Sequence, residues 1–510
     1  MSESSTRHAV GGTATAPGAS PPSLDASLGR GGGSRRWSGP RRWISEVIEF
    51  VYRLAGSTLA TPKVAVGVSL AGIVLIMIVG ILSPNFNTLP PNYSGDPTKL
   101  KPVVLPLSGH LFSLPWYFSF PLTYLAIVAQ CLGLAGLLWA NSRGWRPNPR
   151  HLFLAACVIV AIMVNITPVG SSDAASYAAY GWLAHHGFDP YTNGPIILGQ
   201  GNEYTKAVGP MWTSTPSVYG PLATWIQEFA AGLGGIGRPG VTVHYLMIFN
   251  GAVFLAVGYF LLKTSTDPVR ASLMWVANPV LIQQLVAGGH LDTYVAAACV
   301  VGVQIARGGN RGWRYLAAGA AVGVACAFKV NAGLVGVGLA WALVMRRDWW
   351  NIVRLAVGGI GAVVAFYSTY GLHAFNQLLS ASGLVATPSP WRAFQLVTQG
   401  VFTVFGHESL GKSIGGVATS IAWPIFMVVL AVFIYRRFSP DQPAVVTVPF
   451  ALAFAWIVAA PWSLPWYAAL AWVILALLPR NPMTRWLTLA TVFLALMHSS
   501  GGGPAPWATT

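Results

Sequence analysis

Thirteen apolar runs punctuate the chain, at about 64–82, 117–140, 152–168, 245–262, 271–287, 291–306, 315–328, 332–345, 353–371, 417–435, 444–460, 466–478 and 486–500. Each is too long for a strand, and in an apolar solvent a helix satisfies every backbone group within its own segment. The pattern predicts about 13 transmembrane helices in one all-α polytopic domain over residues 61–500. Several runs are shorter than the roughly 20 residues that cross a bilayer. The pair around Lys329 reads as two half-depth helices meeting at a break. Upstream, Ile44, Val47, Ile48, Val51 and Leu54 recur at helical spacing, with Arg42, Glu46, Glu49 and Arg53 on other faces. This predicts an amphipathic helix at 41–60 lying on the membrane surface. Residues 1–40 are Ser, Gly, Ala, Pro and Arg, the composition of a disordered arm. With no apolar segment behind Met1, no cleavable signal peptide is expected.

Composition excludes the soluble alternatives. Only 9% of the 510 residues are charged and 54% are hydrophobic, with a mean hydropathy of +0.57. Soluble proteins carry about 25% charged residues, and this chain could not cover a water-facing surface. The formal net charge of +16 would suggest nucleic acid in a soluble protein, but its distribution gives another reading. With a cytoplasmic N-terminus, the inside segments hold 23 Lys and Arg and the outside segments six. That is the positive-inside pattern, with the C-terminal tail, 501–510, outside. The whole excess is then cytoplasmic, and no nucleic-acid partner is implied. The long connections, 83–116, 169–244 and 372–416, all fall outside and are rich in Trp, Tyr, Pro and Gly. Short helices within them, working on the outer face, are the expectation. All four cysteines lie in apolar runs without a CxxC pair and read as buried hydrophobes.

Candidate chemistry clusters in these loops. In Asp173-Ala-Ala-Ser176-Tyr177-Ala-Ala-Tyr180 a short helix places Asp173 and Tyr177 on one face. A carboxylate flanked by aromatic hydroxyls suits a general base for an acceptor hydroxyl. Equally, Ser172 or Asp173 could serve only as the N-cap of that helix. The turn Gly288-Gly289-His290-Leu291-Asp292 offers His290 and Asp292 to a phosphate, a sugar hydroxyl or a metal, or is a hydrogen-bonded polar turn. Lys329 either snorkels to the outer headgroups or holds a phosphate. Trp391-Arg392 is either a phosphate grip or part of an aromatic belt. Tyr219-Gly220-Pro221 opens an amphipathic stretch, with Pro221 suited to a first helical turn. No HExxH occurs.

Asp173-(x3)-Tyr177, Gly187-Phe188-Asp189-Pro190-Tyr191, Tyr219-Gly220-Pro221 and the Gly-Gly-His290-Leu-Asp292 turn, in this order, resemble the actinobacterial polyprenol-phosphate-mannose-dependent α-1,6-mannosyltransferases of the glycosyltransferase C superfamily. Leu291 stands where related turns carry Asn. The resemblance runs over about residues 60–500. It implies a mannose donor β-linked to a polyprenyl phosphate and a growing mannan on a phosphatidylinositol anchor as acceptor. Transfer would invert the anomeric carbon at the outer face of the plasma membrane, as in lipomannan assembly. Asp173 would be the base, and no metal or cofactor is implied. Lys329, Arg392 and His290 would meet the donor phosphate. Tyr177, Tyr180, Tyr191, Tyr219, Asp292 and Trp391 would contact sugar or acceptor. An arabinosyl- or glucosyltransferase of the same fold, or a transporter or lipid-linked sugar flippase, are the competing functions.

Overall fold

The computed structural model describes residues 61–83, 103–109, 114–309, 311–381 and 383–498. The expected arm at 1–40, the surface helix at 41–60, most of the 83–116 connection and the tail at 501–510 lie outside them. Among the described residues the chain is helical throughout, without a strand. The helices are α1 (Pro62–Leu82), α2 (Trp116–Ser142), α3 (Pro149–Met163), α4 (Asp173–His185), α5 (Glu203–Ala207), α6 (Pro221–Gly234) and α7 (Pro239–Thr264). They continue with α8 (Pro268–Met274), α9 (Pro279–Leu281), α10 (Asp292–Arg307), α11 (Gly312–Cys326), α12 (Gly333–Val344) and α13 (Trp349–Tyr367). The last are α14 (Asn376–Ala381), α15 (Pro390–Val404), α16 (Glu408–Tyr435), α17 (Ala444–Ala459), α18 (Ala468–Leu475) and α19 (Met483–Met497).

Every apolar run of the sequence carries a helix, but not always a whole span. Among the described residues five helices are long and apolar enough to cross a membrane: α1, α2 from Tyr117, α7, α13 and α16. A sixth is added if the helical segment Pro279–Ala287 and α10, bent by 117° at their junction, count together. Other apolar helices, such as α3, α17 and α19, are between 10 and 17 residues long. The protein is thus a polytopic membrane protein whose long spans are fewer than its apolar runs. The exposed faces agree, for Val353, Val357, Ile360 and Val364 form an i+3/i+4 stripe of exposed apolar side chains on α13. Val417, Ile421, Ile425 and Val428 do the same on α16. Such unbroken apolar faces fit lipid, not water.

The run at 271–287 departs most from the expected continuous helix. α8 stops at Met274, and the chain restarts at Asn278-Pro279, where Asn278 Oδ1 accepts from the Leu281 N–H at 3.2 Å. Proline disfavours helical geometry in the residue before it, and Asn278 is accordingly extended. A π-helical turn, Ile282–Ala287, follows. Two boundaries also move: α7 starts at Pro239, six residues ahead of the apolar run, and α16 starts at Glu408. The connections before them are correspondingly shorter and hold α4, α5 and α6, and α14 and α15.

α4 packs against α6 and α7, while α18 and the end of α17 fill the centre with buried side chains. Around them meet two chain breaks, at 288–291 and 327–332, and the 3-10 turn Pro465–Tyr467.

Candidate active site

Asp173 is the first residue of α4, and the N-cap, Ser172, makes no side-chain capping bond. The Ser171 hydroxyl takes the Asp173 N–H instead, at 3.0 Å. The carboxylate is thereby left to tertiary partners. Tyr177, one turn on, donates to Oδ2 at 3.3 Å, and His290 Nδ1 lies 3.4 Å from the same oxygen. The side chain keeps 24% of its surface exposed. Burial would raise the Asp173 pKa, but contact with His290, the Lys329 charge and the Ser171 hydroxyl hold it below the usual carboxylate value.

His290 reaches this position through the turn that joins the π-helical segment to α10. Gly289 has φ 69°, a left-handed conformation that suits glycine. A Cβ there would also approach Met247 Sδ to 2.7 Å. The imidazole is fully buried and stacks on Trp466, with centroids 3.7 Å apart and planes 14° from parallel.

Two residues on, Asp292 opens α10 and receives the Lys329 ammonium at 3.0 and 3.2 Å, one bond to each carboxylate oxygen. Their side chains are 5% and 16% exposed. Lys329 is extended at the break after α11, and its Nζ also sits 4.0 Å above the Tyr467 ring. The ammonium is therefore paired rather than simply reaching for headgroups, which a side chain of this burial requires.

The segment Tyr219-Gly220-Pro221 closes the site by docking on that same break. The Gly220 N–H donates to Phe328 O at 3.0 Å and that of Leu222 to Ala327 O at 2.9 Å. A Cβ on Gly220 would collide with the Ala327 carbonyl. Tyr219 meets Tyr177 edge-on, centroids 5.0 Å apart. Gly220→Val should cost about 1–3 kcal/mol through overpacking, read as a lower Tm of the purified protein. An unchanged Tm would mean that the segment is not held against the break.

The structure therefore brings together Asp173, Tyr177, Tyr219, His290, Asp292 and Lys329. Tyr180, one turn further along α4, bonds Thr215 O at 2.8 Å. Tyr191 is in a separate cluster with Tyr367 and Ala374, its hydroxyl 2.9 Å from Thr224 Oγ1. Trp391 donates to Ala459 O at 2.7 Å. Its neighbour Arg392, half-buried at the start of α15, makes no ion pair among the described residues. Trp466 and Tyr467 were not singled out from sequence, because they lie at the start of an apolar run, and only Pro465 ahead of them marks a turn. Among the described residues no three His, Cys, Asp or Glu side chains are placed to hold a metal ion.

Comparison with known proteins points the same way as the motifs. Residues 70–345 match the family described as alpha-(1->6)-mannopyranosyltransferase, N-terminal domain. An alpha-(1->6)-mannopyranosyltransferase of Mycobacterium tuberculosis is 34% identical over 143 residues, 27% of this chain and 24% of that protein. Alpha-(1->6)-mannopyranosyltransferase B of Corynebacterium glutamicum is 25% identical over 60% of this chain and 56% of its own. Alpha-(1->6)-mannopyranosyltransferase A of M. tuberculosis is 24% identical over 60% of this chain and 61% of its own. The chain thus spans about a quarter to three fifths of the length of these relatives. No solved structure matches. All six residues that converge at the site lie within the matched segment, which exceeds half of the 510 residues, and the chain belongs to the alpha-(1->6)-mannopyranosyltransferase family.

Proposed function

We propose that this protein transfers mannose from a polyprenyl-phosphate-mannose donor to a lipid-anchored mannan. The product linkage is α-1,6, and the site lies on the outer face of the plasma membrane. The observation that carries this reading is the Asp173 carboxylate. Oδ2 is engaged by Tyr177 and faced by His290, and the carboxylate keeps 24% of its side-chain surface exposed, where it can accept a proton. In one inverting displacement Asp173 takes the proton of the acceptor 6-hydroxyl as that oxygen bonds the anomeric carbon. The bond to the phosphate breaks and its electron pair leaves with the phosphate. That leaving group is already ionised, so the second carboxylic acid of glycosidases is not needed. The Lys329 ammonium has three N–H donors, of which Asp292 engages two, and offers the third to the phosphate.

The walls suit an amphiphilic donor. An open apolar groove of about 400 Å³ is lined by Leu222, Trp225, Ile226, Phe229, Phe249 and Tyr294. Tyr294 stacks on Phe328, beside Lys329, with centroids 5.0 Å apart. A prenyl chain lying there would keep its phosphate near the ammonium. Thirteen spans, a cytoplasmic N-terminus and a glycosyltransferase C-type arrangement belong to the same proposal, supported by the distribution of bases along the chain.

The test is purified protein offered prenyl-phosphate mannose, arabinose and glucose in turn, in EDTA, with linkage analysis of the product. α-1,6-Mannosyl transfer from the mannose donor is the expected result. Preferred use of another sugar would reassign the donor, and loss in EDTA restored by a divalent cation would reject the metal-free mechanism. No turnover with any donor would favour a flippase.

A further inference from the structure

His290 is energetically odd. Its ring is fully buried, yet among the described residues neither nitrogen makes a hydrogen bond. A buried polar atom left in this way costs stability and calls for a reason. The stack on Trp466 fixes the ring plane, and Nδ1 points to Asp173 Oδ2 at 3.4 Å. That distance is just beyond a formed bond. In unliganded sites such contacts are often long and tighten when substrate binds. Full burial also removes the ring from direct contact with a donor phosphate.

We propose that His290 is a positioning residue: its Nδ1–H closes on Asp173 Oδ2 during transfer and, with Tyr177, turns Oδ1 toward the acceptor hydroxyl. The inference rests on Asp173 being the base. His290 keeps its proton throughout, and the acceptor proton goes to Oδ1. The groups that bear on the Asp173 charge are Tyr177 and Tyr180 of α4, Tyr219 ahead of α6, His290 at the first break, Lys329 after α11 with its partner Asp292, and Tyr467.

His290→Phe keeps a ring for Trp466 and removes the donor, whereas His290→Asn places an N–H near the position of Nδ1–H. The Phe variant should lose about 10- to 100-fold in kcat, the range for a hydrogen bond to a charged group. KM for donor and acceptor should stay within about 3-fold, because the buried ring touches neither. The acid limb of the pH–rate profile should move to higher pH, since Asp173 loses a partner of its ionised form. The Asn variant should recover most of kcat and the original limb. A raised donor KM with kcat and limb unchanged would overturn the proposal in favour of phosphate binding. An Asn variant no better than Phe would also overturn it. Should the Phe variant not purify, His290→Leu against His290→Asn decides by the same criteria. If wild-type protein itself transfers no mannose, or Asp173→Asn stays active, the underlying reading fails rather than this inference alone.

Discussion

Asp173→Asn will lower mannosyl transfer by about 10²- to 10⁴-fold, the usual contribution of a positioned general base, in protein that inserts and purifies normally. The substitution is nearly isosteric. Ser172 rather than Asp173 is the N-cap of α4, and the Ser171 hydroxyl satisfies the Asp173 N–H, so the helix start does not depend on the carboxylate. Donor binding, measured by displacement of a labelled prenyl-phosphate sugar, should be nearly unchanged. Removal of a negative charge near the phosphate could even tighten it slightly. In the wild type the acid limb of the rate should lie below the range of an ordinary carboxylate. Its partners favour the ionised form, so the active form persists as pH falls and is lost only when the lowered pKa is crossed. Near-full activity of the Asn variant would remove Asp173 as the base.

Lys329→Met will have the second large effect, and it combines two losses that a further substitution separates. Asp292 is 5% exposed and its carboxylate is held by Lys329. Removing the ammonium leaves a buried, uncompensated charge, which costs about 3–5 kcal/mol. A lower Tm and poor recovery from the membrane should result. Adding Asp292→Asn removes the orphaned charge and should restore most of the Tm. Donor use should not return with it, because the phosphate still lacks its cation, and the donor KM should stay at least about 10-fold above wild type. A double variant with wild-type donor KM would reduce the pair to a structural clasp between α10 and the break after α11.

Much of the helical framework was legible from residue order because the bilayer leaves the backbone few options. Each apolar run became a helix, and the division of the 271–287 run has a visible local cause in Asn278-Pro279. The Asp173–Tyr177 contact was legible for the same reason, four residues being one helical turn. The environment of the Asp173 carboxylate was not. It depended on Ser171 occupying the N–H and on His290 approaching from the turn before α10. Lys329 and Asp292 stand 37 residues apart, on opposite sides of α11, and no local pattern joins them. Trp466 was hidden by its own hydrophobicity, as one more apolar residue in an apolar run.

Composition and periodicity are local properties, and they were sufficient to establish lipid as the solvent, helix as the element and a short segment of loop as the place to look. Which of the candidates meet in space came from packing. Two broken helices, a 3-10 turn and a glycine-permitted backbone contact gather six side chains into one site, and they left Tyr191 and Trp391 with other neighbours. Charges in a low-dielectric interior must be matched across the fold rather than along the chain. That requirement couples Asp292 to Lys329 and sets His290 against Asp173.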